Sequence, residues 1–148
     1  MKKASFSSVN FVDTTSEFDV NLPDRLIHKE VDKKQTDSEK EFSNERKHDV
    51  FVVDLPTNTI SMTIGGLEIG QSTNKHRHTY ETVIYVVEGE GYSEIENETV
   101  HWKAGDAIYV PVWALHSHHN NGNAYAKYIA CENAPLLQNL GVAIRKEN

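Results

Sequence analysis

From Asp49 onward the chain is a succession of short β-type segments separated by turn residues. Residues 82–87 form a nearly continuous apolar run, as expected of a strand that is buried on both faces. The predicted strands are residues 51–53, 59–64, 67–69, 82–87, 92–96, 99–102, 107–110, 115–119 and 124–131. About nine short strands with few helices predict an all-β sandwich or barrel. Residues 135–140 predict one short helix that ends at a Gly141 C-cap.

The segment 29–48 is charged instead of apolar, since twelve of its twenty residues are charged, six of each sign. Glu30 and Lys34 attract at i,i+4 whereas Glu41 and Glu45 repel, so local pairing does not decide between a solvated helix and a mobile segment. The simplest interpretation is a linker without chemistry. We therefore divide the chain into an N-terminal extension, residues 1–49, partly helical or flexible, and a β-barrel, residues 50–148.

Composition excludes several classes of function. The chain has 148 residues, the length of one ordinary domain, and a net charge of −7. Every basic stretch is interleaved with acids, so no nucleic-acid partner is expected. No apolar run approaches the roughly 20 residues of a membrane helix, and residues 1–8 lack the apolar core of a signal peptide. A single cysteine, Cys131, fits a reducing compartment, so we expect a cytoplasmic protein without a membrane partner.

Histidines carry the chemistry that the sequence suggests. His76 and His78 are two residues apart and share one face of an extended segment, and His116 and His118 repeat this spacing about forty residues later. Imidazoles from two facing strands can surround one divalent metal and leave positions open for small molecules. The alternative for the first pair is a surface position in a polar loop. His119 is expected to point away from His118, and we assign no role to the remaining histidines, which are His28, His48 and His101.

The spacing of glycine, proline and asparagine residues around these histidines resembles the two signature motifs of the cupin superfamily. The first motif reads Gly70-x5-His76-x-His78, and the second reads Gly105-x5-Pro111-x-Trp113-x2-His116-x3-Asn120. The resemblance covers residues 50–145. It implies an all-β, single-domain antiparallel barrel with a metal inside, bound by His76, His78 and His116, and it implies a homodimer.

The chain departs from the usual cupin pattern at two positions. Thr82 occupies the place of the motif-one glutamate, and Trp113 that of a motif-two glycine. Glu81 is one residue early and points to the other face of a regular strand, so it becomes a fourth ligand only if a bulge turns it back. Both departures resemble the gentisate 1,2-dioxygenase branch, which uses three histidines and no glutamate. Those enzymes usually contain two cupin domains, so their substrate is not carried over to this single unit.

The resemblance implies a metal-dependent enzyme. Three neutral imidazoles leave a divalent site with two positive charges, which favours a chelating anionic substrate. We expect a non-haem Fe(II) dioxygenase acting on a small aromatic or hydroxy/keto substrate, although Mn, Ni and Zn suit the same ligands. His118 is predicted to be an acid/base beside the metal, with a hydrogen-bonded barrel histidine as the alternative. Trp113 and Tyr80 are predicted to wall the substrate pocket, with core packing as the alternative. A non-redox isomerase, lyase or decarboxylase and a non-catalytic small-molecule-binding cupin remain open.

Overall fold

The structure, a computed structural model, describes residues 6–12, 18–33 and 35–148. Two predictions concern residues outside this description: residues 1–5, for which no signal peptide was expected, and Lys34, which was expected to pair with Glu30. The described chain forms two antiparallel sheets of five strands each. The strands are β1 (Asp49–Val52), β2 (Ser61–Leu67), β3 (His76–His78), β4 (Thr82–Glu88), β5 (Glu90–Ile95), β6 (Glu98–Lys103), β7 (Ala107–Val110), β8 (His116–His119), β9 (Ala126–Glu132) and β10 (Arg145–Glu147). The helices are α1 (Asp37–Arg46), α2 (Ala134–Asn139) and a 3-10 turn at Ser8–Asn10.

The strand order is β1-β2-β9-β4-β7 in the first sheet and β10-β3-β8-β5-β6 in the second. Alternation along the strands sends one set of side chains into the space between the sheets. The core formed there draws on both sheets, with Ile84 and Tyr128 from the first sheet and Trp102 from the second. The architecture confirms the predicted all-β class. None of the described helices is long and apolar enough to cross a membrane.

Strand β4 corrects one expectation. Its apolar run was expected to be buried on both faces, but only Thr82, Ile84 and Val86 face the core. Val83 and Tyr85 are each 50% exposed on the outer face of the first sheet. The run is therefore buried on one face only, because in the described part of the chain the second sheet covers the inner face of the first sheet and no layer covers its outer face.

Glycines and turns explain two further differences from prediction. Strand β2 continues through Gly65 and Gly66 instead of ending there. Glycine is needed at position 65 because a Cβ there would collide with the ring of Tyr128 on β9. The glycine pair thus permits close packing in the sheet and does not form a turn. The hairpin between β5 and β6 turns at residues 96–97, one residue before the predicted position, and Glu96 adopts a φ of 52° there.

Helix α1 gives the charged segment a defined place. A capping box begins the helix, because the Thr36 hydroxyl accepts the Glu39 amide and the Glu39 carboxylate accepts the Thr36 amide. The same carboxylate accepts the amide of Val52 on β1 at 2.9 Å, and the Ser43 hydroxyl bonds to the backbone of Val50. These bonds dock α1 against the edge strand of the first sheet. The helix is therefore attached to the barrel and is not a free linker.

Candidate metal centre

Strands β3 and β8 bring three imidazoles together inside the barrel. His76 and His78 share the inner face of β3, and His116 pairs directly with His76 across the sheet. The three side chains are buried, with residue exposures of 9%, 1% and 2%. The ring of His116 lies 4.2 Å from that of His76 and 4.8 Å from that of His78, between centroids. One ligand nitrogen from each residue lies within 4.8 Å of the other two, so the cluster could hold a metal ion.

Backbone carbonyls orient all three rings. In each residue Nδ1 lies within hydrogen-bond distance of a carbonyl oxygen two residues away, and a carbonyl only accepts. Nδ1 therefore carries the proton, and Nε2 keeps the lone pair that a metal needs. The pairs are His76 with Asn74 at 2.7 Å, His78 with Tyr80 at 2.8 Å and His116 with Ala114 at 2.8 Å.

Burial keeps these imidazoles neutral. Desolvation lowers the pKa of His78 and that of His116 from 6.5 to about 4, and it also lowers the pKa of His76. Neutral imidazole is the form that binds a metal, so the three rings are in a ligating state at pH 7 without the loss of a proton. The donor set of three nitrogens fits a divalent transition metal.

His118 points into the same cavity, next to the cluster. Its ring lies 5.5 Å from that of His116, and burial lowers its pKa well below the usual value. Its Nδ1 lies 2.7 Å from the hydroxyl of Ser93, which also accepts a bond from the Trp102 indole at 2.9 Å. The ring is thus held in one orientation. Its predicted acid/base role stays a prediction.

Of the two aromatic residues predicted to wall the substrate pocket, Tyr80 lies in the histidine cavity and Trp113 lies outside its lining. Tyr80 lines the cavity, and its ring stacks on that of His78 at 3.9 Å between centroids with an interplanar angle of 3°. Trp113 is not among the residues that line this cavity; its ring is 5.7 Å from the Arg77 guanidinium, and the residue is 38% exposed. Trp113 has a φ of 63°, a left-handed backbone that favours glycine, and its amide donates to the His78 carbonyl at 2.7 Å. Its backbone therefore supports β3.

Two carboxyl groups lie near the cavity, and only that of Glu132 on β9, which was not predicted as a site residue, lines it. Glu81 is not turned into the cluster, because its carboxylate accepts the hydroxyl of Tyr109 at 2.6 Å, a residue that is 51% exposed. Thr82 faces the cavity and donates to the carboxylate of Glu132 at 3.2 Å. Burial raises the pKa of Glu132, because the charged form of the carboxyl loses its hydration there. The inward alternation of β9 was the available signal for Glu132.

The cavity around the histidines has a volume of about 100 Å³ and takes part of its wall from outside the motifs. Arg46 and Phe42 reach it from α1, Arg145 reaches it from β10, and His48 follows α1. His48 Nδ1 bonds to the Arg46 carbonyl, so its Nε2 accepts the hydroxyl of Tyr128 at 2.8 Å. None of these residues was predicted, since they lie far from the histidine motifs in sequence.

Residues 64–131 match the sequence family described as a cupin domain. The match contains the motifs that hold all three clustered histidines, and the barrel has the antiparallel architecture that the motifs imply. The chain therefore carries a cupin domain, and its similarity within that superfamily is to cupins of the gentisate dioxygenase type.

Three proteins illustrate what this domain is similar to in sequence and in fold. The chain is 33% identical over 84 residues to 5-aminosalicylate 1,2-dioxygenase of a Comamonas species, covering 57% of this chain and 22% of that enzyme. It is 37% identical over 68 residues to an uncharacterized protein of Methanocaldococcus jannaschii, covering 45% of this chain and 54% of the relative. The salicylate 1,2-dioxygenase of Pseudoaminobacter salicylatoxidans superposes with a TM-score of 0.65 at 22% identity, over 68% of this chain and 29% of the enzyme. This last likeness shows the fold. The chain spans about a fifth of the length of the Comamonas dioxygenase and about half of the length of the Methanocaldococcus jannaschii protein.

Proposed function

We propose that this protein is a non-haem Fe(II) dioxygenase in which His76, His78 and His116 hold the metal. The convergence of three neutral imidazoles, each with a free Nε2, in a buried cavity is the observation that supports it. The dioxygenase relatives favour iron over the other metals that suit such ligands.

Iron, when bound, supplies the means to bring substrate and dioxygen together and to pass electrons between them. The three neutral histidines leave the charge of the cation uncompensated, so they favour a substrate that chelates through anionic oxygens. A cavity of about 100 Å³ limits the occupant to a small molecule. Tyr80 presents a flat, stacked wall beside His78, which suits an aromatic or planar hydroxy/keto compound.

Two further groups handle protons in this proposal. His118, held by Ser93, exchanges a proton with substrate oxygens near the metal. Glu132 lines the same cavity, and because burial raises the pKa of its carboxyl, it holds a proton more readily than an exposed glutamate and can hydrogen-bond to the substrate. Trp113 stays a predicted substrate contact, although its place outside the cavity lining favours a supporting role through its backbone.

Oxygen uptake by the iron-loaded protein tests the proposal. The protein is reconstituted with ferrous iron, its metal content is measured by elemental analysis, and dihydroxy-aromatics, hydroxybenzoates, hydroxyketones and diketones are screened. We expect uptake with one class and loss of both iron and uptake in His76→Ala. His101→Ala, which removes an exposed histidine from β6, is the matched control and should keep both. Turnover of a substrate without oxygen would replace the dioxygenase by a non-redox metal cupin, and no turnover at confirmed iron loading would reduce it to a binding protein.

We also propose that the protein is a homodimer. The outer face of the first sheet carries Val83, Tyr85 and Tyr109, each at least half exposed. Exposed apolar side chains on a sheet of this kind are commonly covered by a second copy. Light scattering after size-exclusion chromatography should give twice the 16.8 kDa chain mass, and Val83→Lys should give the single mass.

A further inference from the structure

Strand β10 carries two charged side chains to the edge of the histidine cluster. It pairs antiparallel with β3, with Arg145 opposite His78 and Glu147 opposite His76. Directly opposed residues project on the same face of a sheet, so both charged residues stand beside the clustered imidazoles. Arg145 lines the cavity, and its Nε donates to the Glu147 carboxylate at 2.8 Å.

A second guanidinium reaches the same carboxylate from helix α1, about a hundred residues earlier in the chain. Arg46 is the last residue of α1, and its Nη1 lies 3.8 Å from the Glu147 oxygen that Arg145 also contacts. The Arg46 guanidinium lies 4.5 Å above the ring of Phe42, and both side chains line the cavity. The arginine side chains are 21% and 22% exposed, whereas that of Glu147 is 48% exposed. Two sheltered arginines thus face one half-exposed carboxylate.

The charges at this mouth do not cancel. Glu147 contacts both arginines and can neutralise the charge of only one of them. A divalent metal would add two further positive charges. The mouth therefore attracts anions.

We propose that Arg46 and Arg145 form a carboxylate-binding subsite at the mouth of the metal cavity, and that Glu147 fills this subsite until a substrate carboxylate displaces it. A planar guanidinium matches a carboxylate with two parallel hydrogen bonds, which is the geometry that sets arginine apart from lysine. Glu147 shows that the pair accepts a carboxylate, and its exposure leaves it free to swing outward. Both arginines and Glu147 lie outside residues 64–131, the part of the chain that matches the cupin family.

This subsite rests on the proposed function and narrows it. A substrate would present its carboxylate to the arginines while a hydroxyl or oxo oxygen faces the histidines. Uncharged diketones and hydroxyketones would lack the first contact. Glu147 would act as an internal competitor, so it lowers affinity for every carboxylate without touching the metal.

Binding of a matched acid and amide tests this subsite without any turnover. Full-length protein, loaded with redox-inert Zn(II) and also metal-free, is titrated by calorimetry with 2-hydroxybenzoate and with 2-hydroxybenzamide. We expect the acid to bind at least tenfold more tightly than the amide to the zinc protein. Arg46→Gln and Arg145→Gln should each reduce that preference about tenfold, and Glu147→Gln should tighten acid binding several-fold. Arg77→Gln is the matched control, because Arg77 alternates away from the cavity and lies over Trp113.

The gain of affinity in Glu147→Gln is the decisive result, since a damaged fold cannot produce it. Acid binding that is unchanged in both arginine variants would overturn the subsite, and so would weaker binding in Glu147→Gln. Absence of measurable acid binding to the wild type and to Glu147→Gln would overturn it as well. Charge-dependent binding together with no oxygen uptake by the iron protein would refute the dioxygenase and leave the subsite standing.

Discussion

Acidification of the metal-free protein should destabilise it because neutral imidazoles are buried in the barrel. In the unfolded chain a histidine titrates near pH 6.5, whereas burial holds the pKa of His78 and His116 at about 4 in the native state. Between these values the unfolded state binds more protons than the native state, so the stability falls as the pH falls. This contribution is fully present above about pH 6.5 and is lost progressively toward pH 4.

The expected magnitude follows from the two pKa values. Each pKa unit corresponds to about 1.4 kcal/mol, and integration from pH 7 to pH 5 gives ~2 kcal/mol for one histidine. His78 and His116 together therefore remove about 4 kcal/mol, a large part of the 5–15 kcal/mol that holds a typical domain together. Glu132, whose pKa is raised by burial, acts in the opposite direction, because its protonated form is favoured in the native state.

Urea unfolding at pH 7 and pH 5, followed by circular dichroism in the presence of a chelator, measures this loss. The double variant His78→Gln, His116→Gln isolates the two histidines, since glutamine does not titrate. We expect the pH-dependent loss to shrink by about 4 kcal/mol in the variant relative to wild type. Equal losses in the two proteins would refute the claim that these rings are buried in the neutral form.

Three further predictions concern the walls and supports of the site. Gly65→Ala should cost about 1–3 kcal/mol in urea unfolding, because the new methyl group collides with the Tyr128 ring. Ser93→Ala should cost at least ~2 kcal/mol of unfolding free energy, because the buried His118 ring and the buried Trp102 N–H lose their shared partner. Ser72→Ala is the control: its hydroxyl bonds to His119 at an exposed position, so the stability should change by less than about 0.5 kcal/mol. Thr36→Ala removes the cap of α1 and should cost about 1 kcal/mol, and in calorimetry it should weaken hydroxybenzoate binding, since the arginine that ends α1 loses its support.

The sequence predicts the part of the site that is local. His76 and His78 can be placed on one face because strand geometry acts over two residues, and the glycine and proline punctuation indicates the barrel around them. The motif around His116 is equally local, so its convergence with β3 could be anticipated from the resemblance.

The rest of the cavity depends on register, which local sequence does not encode. Arg145 lines the cavity only because β10 pairs with β3, and Arg46 does so only because α1 docks on β1. Glu132 needs the pairing of β9 with β4, which sets it opposite Thr82. The predicted burial of Tyr85 was wrong for a related reason. An apolar run in the sequence does not show whether a second layer covers the outer face of the sheet.

The three carbonyls that fix the histidine tautomers belong to the main chain, at Asn74, Tyr80 and Ala114. Any amino acid supplies such an oxygen, so a substitution at these positions would not by itself remove the partner that aims the ring. The side chains beside each histidine can therefore change during evolution, and with them the shape and charge of the cavity. The direction of the three Nε2 lone pairs would stay the same as long as the backbone around β3 and before β8 keeps its path.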